Sequence, residues 1–277
     1  MNLLVQPVTT TQALGQITPL ILTYNEVPNI RRTLDRLSWA DRIVIVDSHS
    51  SDGTIEILEQ YENVDVFYRK FDTFADQCNY GLSLIETEWV LSMDADYVLP
   101  ISFPELLEQT ITTPSADGFY VPFKFCVYGK ALLGDNTTPR QVLYRRKLAT
   151  YHNLGHQHRV RVNGSSAELD GFIYHDDRKS LSRWLSSQDR YLRIEAEKLS
   201  AASYGELDLA DKIRKTKVLG PIVVLLYCLI VHRLLFQGWR GWYYALQRTL
   251  VETLLIIRQI ETDGKLREDF NNFPDQA

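Results

Sequence analysis

The segment Ile43-Val44-Ile45-Val46-Asp47-Ser48-His49-Ser50-Ser51-Asp52-Gly53-Thr54 predicts a buried β-strand that ends in a polar turn before a helix. Its continuous apolar run is typical of a strand covered on both faces of a parallel sheet. Around it, apolar runs alternate with amphipathic stretches, which predicts parallel strands joined by helical crossovers. The predicted strands are Leu20-Ile21-Leu22, 64–68 and 89–93, and the predicted helices are 28–37, 54–61 and 74–85.

The composition is that of a folded globular protein. The 277 residues are 45% hydrophobic and 11% aromatic, which excludes disorder as the main state. A net charge of −5 excludes a generally basic protein that binds nucleic acid. The three cysteines are far apart, which indicates a reducing compartment rather than a disulfide framework. Residues 1–16 lack the basic start of an export signal, so we expect a flexible lead-in on a cytoplasmic chain.

The pattern of apolar and polar residues changes twice after residue 100. Mixed strands are predicted at 120–128, 141–144 and 158–162, and a helix is predicted at 181–200. We therefore expect an α/β domain at 17–200, with a first half at 17–100 and a second half at 101–200. We expect residues 201–277 to form a separate helical, membrane-associated region.

The helical region has the features of a membrane-interfacial segment. A basic cluster precedes an apolar run at 218–231, which is shorter than the roughly 20 residues that a transmembrane helix needs. Aromatic residues and a second apolar helix at 246–257 follow. The pattern predicts contact with the cytoplasmic membrane face, and the alternative is a helical pair buried on the α/β core. The basic cluster consists of Lys212, Arg214, Lys215 and Lys217.

Three polar clusters directly follow predicted strands. They are Thr23-Tyr24-Asn25-Glu26, the 47–54 turn, and Asp94-Ala95-Asp96. Carboxyl ends of parallel strands share one edge of a sheet, where ligands bind. Asp94 and Asp96 can both face one hard cation, Mg²⁺ or Mn²⁺, together with substrate phosphates. Asp47 is available to accept hydrogen bonds from a base or a ribose.

These three motifs, in this order and spacing, resemble family 2 glycosyltransferases of the GT-A fold. The resemblance is strong over residues 17–100. Tyr128-Gly129-Lys130, Gly155-His156-Gln157-His158 and 175–180 are similar to a bacterial subgroup associated with lipopolysaccharide-core and other surface-glycan transfer. Arg159 stands where that subgroup usually has an acidic residue, which leaves the catalytic base open.

The resemblance implies a Rossmann-like mixed sheet, a nucleotide-binding half and an acceptor half. It implies metal-dependent, inverting transfer from a UDP- or GDP-sugar to a glycan or lipid-linked acceptor of the cell envelope. The protein would lie in the cytoplasm, peripheral to the membrane. Asp94 would contact ribose or metal, and Asp96 would bind the metal. The expected donor-binding residues are Thr23, Tyr24, Asn25, Glu26, Asp47, Ser48, Asp52 and Asp94.

Later residues supply further candidates. Three histidines fall close together, and His158 or His175 could add a nitrogen ligand that favours Mn²⁺. Asp176, Asp177 and Asp135 are candidates for the general base that the acceptor hydroxyl requires. Asp176 and Asp177 could equally stabilise a helix N-terminus. Our hypothesis is that Asp176→Asn or Asp135→Asn abolishes transfer and preserves donor binding.

Two other functional classes fit parts of the sequence. A phosphatase of the haloacid-dehalogenase type would use Asp94 as nucleophile and Asp96 as acid, but it expects this motif after its first strand. A non-catalytic glycan-binding scaffold would keep the fold and bind a donor without turnover.

Overall fold

The computed structural model describes residues 11–135, 137–154 and 157–263, with the side chains of 153, 154, 157–159 and 206 outside that description. The described residues form two compact units. The first contains 11–131 and 137–178, and the second contains 132–135 and 179–263. The helix at 181–201 lies in the second unit, whereas the sequence analysis assigns it to the α/β domain.

The first unit contains the strands and four helices. The strands are β1 Ile17–Thr23, β2 Ile43–Asp47, β3 Val64–Tyr68, β4 Trp89–Asp94, β5 Tyr97–Val98, β6 Gly118–Val121, β7 Phe123–Val127, β8 Lys130–Ala131, β9 Arg140–Arg145, β10 Ala149–Leu154, β11 Gln157–Val162, β12 Ser166–Glu168 and β13 Ile173–His175. The helices are α1 Ile30–Leu34, α2 Thr54–Leu58, α3 Phe74–Ser83 and α4 Phe103–Thr112.

The main sheet has seven strands in the order β12-β6-β9-β4-β1-β2-β3. β1 pairs in parallel with both β2 and β4, and β2 pairs in parallel with β3. β9 runs antiparallel between β4 and β6, so the sheet is mixed. A smaller sheet has the order β5-β13-β7-β8, and β10 and β11 form a hairpin. The predicted α/β fold with a mixed sheet is confirmed.

Both faces of the main sheet are buried, which accounts for the continuous apolar runs. Ile21, Ile45 and Leu91 belong to one core cluster. Val44 and Val46 alternate with Ile45 along β2 and belong to the cluster on the other face, with Cys78 and Leu82 of α3. Successive side chains on a strand point to opposite faces, so a strand with two covered faces needs apolar residues at every position.

The second unit is helical. Its helices are α5 Leu181–Ala201, α6 Leu209–Lys215, α7 Leu219–Leu226 and α8 Gly238–Thr262, with a π-helical turn at Tyr227–Val231. Leu192, Ala196 and Leu199 of α5 pack with Val251 and Leu255 of α8 in one buried cluster.

None of the described helices is long and apolar enough to cross a bilayer alone. Leu219–Val231 and Leu234–Thr262, which meet at a bend of 72°, together satisfy the length and composition criteria for a broken or re-entrant segment.

Candidate active site

The ends of β1, β2 and β4 lie side by side at one edge of the sheet. Thr23 is level with Asp47, and Leu22 is level with Asp94. The three polar clusters therefore meet, although about 70 residues of chain separate the first from the third. This juxtaposition confirms the sequence prediction that they share an edge.

The loops after β1 and β2 hold each other through hydrogen bonds. The Thr23 hydroxyl donates to Asp47 Oδ2 at 2.7 Å, and the Ser48 amide donates to the Thr23 carbonyl at 2.9 Å. The Asn25 amide donates to Ser50 Oγ at 2.7 Å, and its side-chain oxygen accepts from the Ser51 amide at 2.7 Å. These contacts make the two loops one connected polar surface.

Asp47 and Asp52 have contacts that organise this surface. Asp47 is fully buried, and its carboxylate also accepts from the amide and hydroxyl of Ser50 at 2.7 and 2.6 Å. Asp52, which precedes the N-cap residue Gly53 of α2, accepts from the Thr54 amide and hydroxyl. Thr54 Oγ1 in turn accepts from the Glu26 amide at 2.6 Å, so Asp52 supports the first loop as well. Ser48 Oγ accepts from Gln77 at 3.0 Å.

Aromatic rings are exposed beside these loops. Tyr24 is 56% exposed. The His49 ring stacks on that of Tyr68, with centroids 6.2 Å apart and planes 16° apart. Tyr68 ends β3 level with Asp47. These flat surfaces are suited to contact with a planar base.

The Asp94-Ala95-Asp96 turn is fixed by its backbone. The Thr33 hydroxyl of α1 donates to the Ala95 carbonyl at 2.7 Å, and the Asp176 amide donates to the Asp96 carbonyl at 3.0 Å. The Asp94 side chain is half exposed and accepts from Arg140 at 3.3 Å. Arg140 also donates to the Tyr97 hydroxyl at 2.7 Å. The positively charged Arg140 guanidinium therefore lies beside Asp94, the first carboxylate of the motif.

His175 lies against the second carboxylate. Its Nε2 is 3.3 Å from Asp96 Oδ2, and its ring meets those of Tyr97 and Phe125 edge-on. Burial alone would lower the pKa of His175, but the neighbouring Asp96 and Asp94 carboxylates reverse that effect and leave the pKa raised. The pairing brings together two residues that the sequence analysis selected as metal ligands.

These residues fit a divalent cation by their donor chemistry. Within the described ranges, no group of three His, Cys, Asp or Glu side chains already converges on one point. Asp94 and Asp96 nevertheless supply oxygens, and His175 supplies a nitrogen beside Asp96. Mn²⁺ accepts such a mixed set, and phosphate oxygens of a substrate commonly complete the coordination of Mg²⁺ or Mn²⁺.

Asp176 is the centre of an ion-pair network. Its Oδ2 accepts from Arg32 Nη1 at 2.5 Å and from Arg178 Nη2 at 2.7 Å, and its Oδ1 accepts from the Gly129 amide at 3.0 Å. The Arg32 guanidinium also donates to the Asp176 carbonyl. A carboxylate that two guanidinium groups engage is suited to holding chain segments together rather than to removing a proton.

The other predicted residues lie in different settings. Asp177 Oδ1 accepts from Asn29 at 2.9 Å, and Asn29 also donates to Glu26 Oε2 at 3.0 Å. Asp135 belongs to the second unit, in the 132–135 segment. His156 and the side chains of His158 and Arg159 lie outside the described residues.

Sequence reasoning missed Arg140, Arg32 and Asn29. Arg140 begins β9, whose antiparallel place beside β4 has no signal in the apolar periodicity. Arg32 and Asn29 contact residues that follow them by more than 140 positions. One local signal in the sequence could have indicated Asn29 and Arg32. Both residues lie just after the first polar cluster, where a helix begins at the binding edge.

Comparison with known proteins assigns the family. The model of "Glycosyl transferase family 2" matches residues 20–166. An uncharacterized glycosyltransferase of Rickettsia felis is 26% identical over 173 residues, which are 57% of this chain and 59% of that protein. The lipopolysaccharide core biosynthesis glycosyltransferase LpsC of Rhizobium meliloti is 27% identical over 137 residues, or 48% and 49% of the two chains. The chain thus spans about half the length of these relatives.

Among solved structures, S. aureus TarS 1–349 in complex with UDP-GlcNAc is similar. It has a TM-score of 0.47 and 15% identity, and the match covers 90% of this chain and 92% of that one. The family match begins within β1, ends at β12 and includes every strand end at the polar edge. Because it covers more than half of the sequence, the chain belongs to glycosyl transferase family 2.

Proposed function

We propose that the protein is a metal-dependent, inverting glycosyltransferase. It moves a sugar from a nucleotide-diphosphate donor, a UDP- or GDP-sugar, to a glycan or lipid-linked acceptor of the cell envelope at the cytoplasmic membrane face. The observation that carries this proposal is the convergence of the β1, β2 and β4 ends on Asp94 and Asp96. The relatives named for glycosyl transfer and lipopolysaccharide core biosynthesis support it.

The interlocked loops are assigned to the nucleoside. Tyr24 and the stacked His49 and Tyr68 rings offer surfaces for a base. The buried Asp47 carboxylate holds these loops: its hydrogen bonds to Thr23 and Ser50 fix their conformation before a donor binds. Such preorganisation lowers the entropy that binding would otherwise cost.

Asp94, Asp96 and His175 are assigned to the divalent cation. When bound, the cation stabilises the negative charge that develops on the departing nucleoside diphosphate. Arg140 adds a fixed positive charge beside Asp94 and so favours the diphosphate in the same place. The Thr33 and Asp176 hydrogen bonds hold the turn that presents both carboxylates.

The acceptor hydroxyl must lose its proton as it attacks the anomeric carbon. Asp176 is assigned a positioning role because Arg32 and Arg178 occupy its carboxylate. Asp177 and Asp135 remain the candidates for the base. The variants Asp177→Asn and Asp135→Asn distinguish them, because the variant at the base loses transfer and retains donor binding.

A thermal-shift titration tests the proposal, since a ligand that binds the folded state raises its apparent stability. The full chain is titrated with UDP-, GDP-, CMP- and dTDP-sugars, with and without Mn²⁺. We expect one nucleotide class to raise Tm only with the metal present, and Asp96→Ala to lose that shift. Asp65→Ala is the matched control, because Asp65 is a half-exposed carboxylate of β3 that pairs with Arg42.

The absence of any shift across all four nucleotide classes would contradict the proposal. A normal shift without sugar transfer to any acceptor would instead support the non-catalytic scaffold. The phosphatase alternative is disfavoured by topology, because the Asp94 motif follows β4 and not the first strand.

A further inference from the structure

The outward faces of α7 and α8 are apolar. On α7 and the π-helical turn after it, exposed apolar side chains recur every three or four residues: Leu219, Ile222, Leu226 and Ile230. On α8 the same spacing gives Trp239, Trp242, Leu246 and Leu250. Phe236, between the two helices, is 84% exposed. We call these two rows, with Phe236, the apolar stripes.

The inward faces of the same helices are also apolar. Cys228, Leu229 and Leu234 are buried, as are Tyr244 and Ala245 of α8. A surface helix of a soluble protein normally presents charged and polar residues away from its core. Continuous exposed apolar surface instead marks a site that contacts another apolar phase.

The charges around the stripes favour phospholipid. Residues 218–251 contain no Asp or Glu, and the charged residues among them are Arg233, Arg240 and Arg248. Arg233 is exposed, and the Arg240 guanidinium lies 4.5 Å from the centre of the Trp239 ring. Arginine and tryptophan are suited to the boundary between lipid phosphates and acyl chains. The surface is therefore complementary to a bilayer in both polarity and charge.

The basic cluster at 212–217 faces inward and contributes little to this surface. Arg214 pairs with buried Glu252 at 2.8 Å, Lys215 donates to the Ala202 carbonyl at 2.6 Å, and Lys217 pairs with Asp263. From the sequence alone, this cluster is expected to contribute to membrane attraction. Lys212 lies 5.6 Å from the centre of the Tyr204 ring, so all four cations already have protein partners.

Length limits how deep the stripes can go. The 13 residues of Leu219–Val231 rise about 20 Å as a helix, against a hydrocarbon core of about 30 Å. α8 carries Arg240, Arg248 and buried Glu252, and its other face packs on α5. Neither segment can cross a bilayer while it keeps these contacts.

We propose that the apolar stripes insert into one leaflet of a phospholipid bilayer through burial of apolar surface, without a requirement for anionic lipid. Phe236 enters the acyl region, and Arg233 and Arg240 remain at the phosphates. The inference deepens the membrane-face part of the proposed function and does not depend on the transfer reaction.

Vesicle co-sedimentation of the full chain tests this inference. The vesicles are pure phosphatidylcholine, or phosphatidylcholine with one third phosphatidylglycerol, each at low and high salt. We expect binding to both, with a loss of less than about threefold between about 50 and about 500 mM salt, because burial of apolar surface is not screened by salt. The double variant Ile230→Asp/Phe236→Asp should bind at least about tenfold more weakly.

The matched control is Leu209→Asp, because Leu209 is 75% exposed in the same unit but lies outside the stripes. It should bind vesicles as the unchanged chain does. Binding that requires phosphatidylglycerol and disappears at high salt would overturn the inference. Vesicle binding by the double variant equal to that of the unchanged chain would also overturn it. A third contrary result is an unchanged chain that binds no vesicle and self-associates, with a double variant that is monomeric.

Donor titration separates this inference from the proposed transfer. The double variant should keep the metal-dependent nucleotide shift in buffer without vesicles. Loss of vesicle binding with that shift intact supports the stripes as a membrane contact. Absence of the shift in every variant, with vesicle binding intact, would contradict the transferase and leave the membrane contact standing.

Discussion

Asp176→Asn distinguishes a structural carboxylate from a catalytic base. The Asp176 side chain is 5% exposed, and the side chains of Arg32 and Arg178 are 24% and 36% exposed. Removing one member of a buried ion pair costs about 3–5 kcal/mol, because the remaining charge stays desolvated. Both arginines retain access to water, so we expect the lower cost of about 2–3 kcal/mol.

For a chain of 277 residues, that loss lowers Tm by about 3–5 °C. The assay is thermal and denaturant unfolding of the full chain. Asp65→Asn is the control, since its ion pair with Arg42 is half exposed and its loss should cost under about 1 kcal/mol. We also expect Asp176→Asn to raise the KM for donor, because weaker pairing with Arg32 and Arg178 loosens the segment whose backbone amide holds the Asp96 carbonyl. Unchanged stability with complete loss of kcat would refute this reasoning and make Asp176 the base.

Two further predictions concern buried groups elsewhere in the chain. Glu252→Gln should destabilise the protein by about 2–4 kcal/mol in denaturant titration, because Glu252 is buried against Arg214. The control is Glu261→Gln, at an exposed pair with Arg258, which should cost under about 1 kcal/mol. Equal costs for the two variants would contradict a buried ion pair at Glu252. Cys78, Cys126 and Cys228 are buried, and burial raises the pKa of the Cys78 and Cys228 thiols. A thiol reagent at pH 8 should therefore react with all three only after denaturation, and rapid labelling of the native chain would contradict this burial.

The strands at the binding edge were predictable because their physics is local. β2 and β4 are buried on both faces, so each appears as an apolar run, and each ends where polar residues begin. The predicted helix at 28–37 is shorter in the structure, where α1 spans Ile30–Leu34. The predicted strand at 120–128 is two strands, β6 and β7, because Pro122 lacks the N–H that a continuous ladder requires.

The contacts that assign roles within the site were not predictable. The burial of Asp47 depends on Thr23 and Ser50, and the pairing of Asp176 depends on Arg32, 144 residues earlier. The sequence does not distinguish a carboxylate that binds a ligand from one that pairs with side chains of its own protein. The basic cluster at 212–217 shows the same principle, since Glu252 and Asp263 meet it only in the folded chain.

The position of β1 has a consequence for how this protein folds. β1 lies between β2, its next strand in sequence, and β4, which follows about 70 residues later. Pairing over such a separation is a non-local contact, and proteins rich in non-local contacts fold more slowly. A nascent chain that has completed only β1 to β3 has an open sheet edge where β4 will bind. We therefore expect the site to be complete only once β4 has paired with β1, because that pairing places Asp94 and Asp96 beside Thr23 and Asp47.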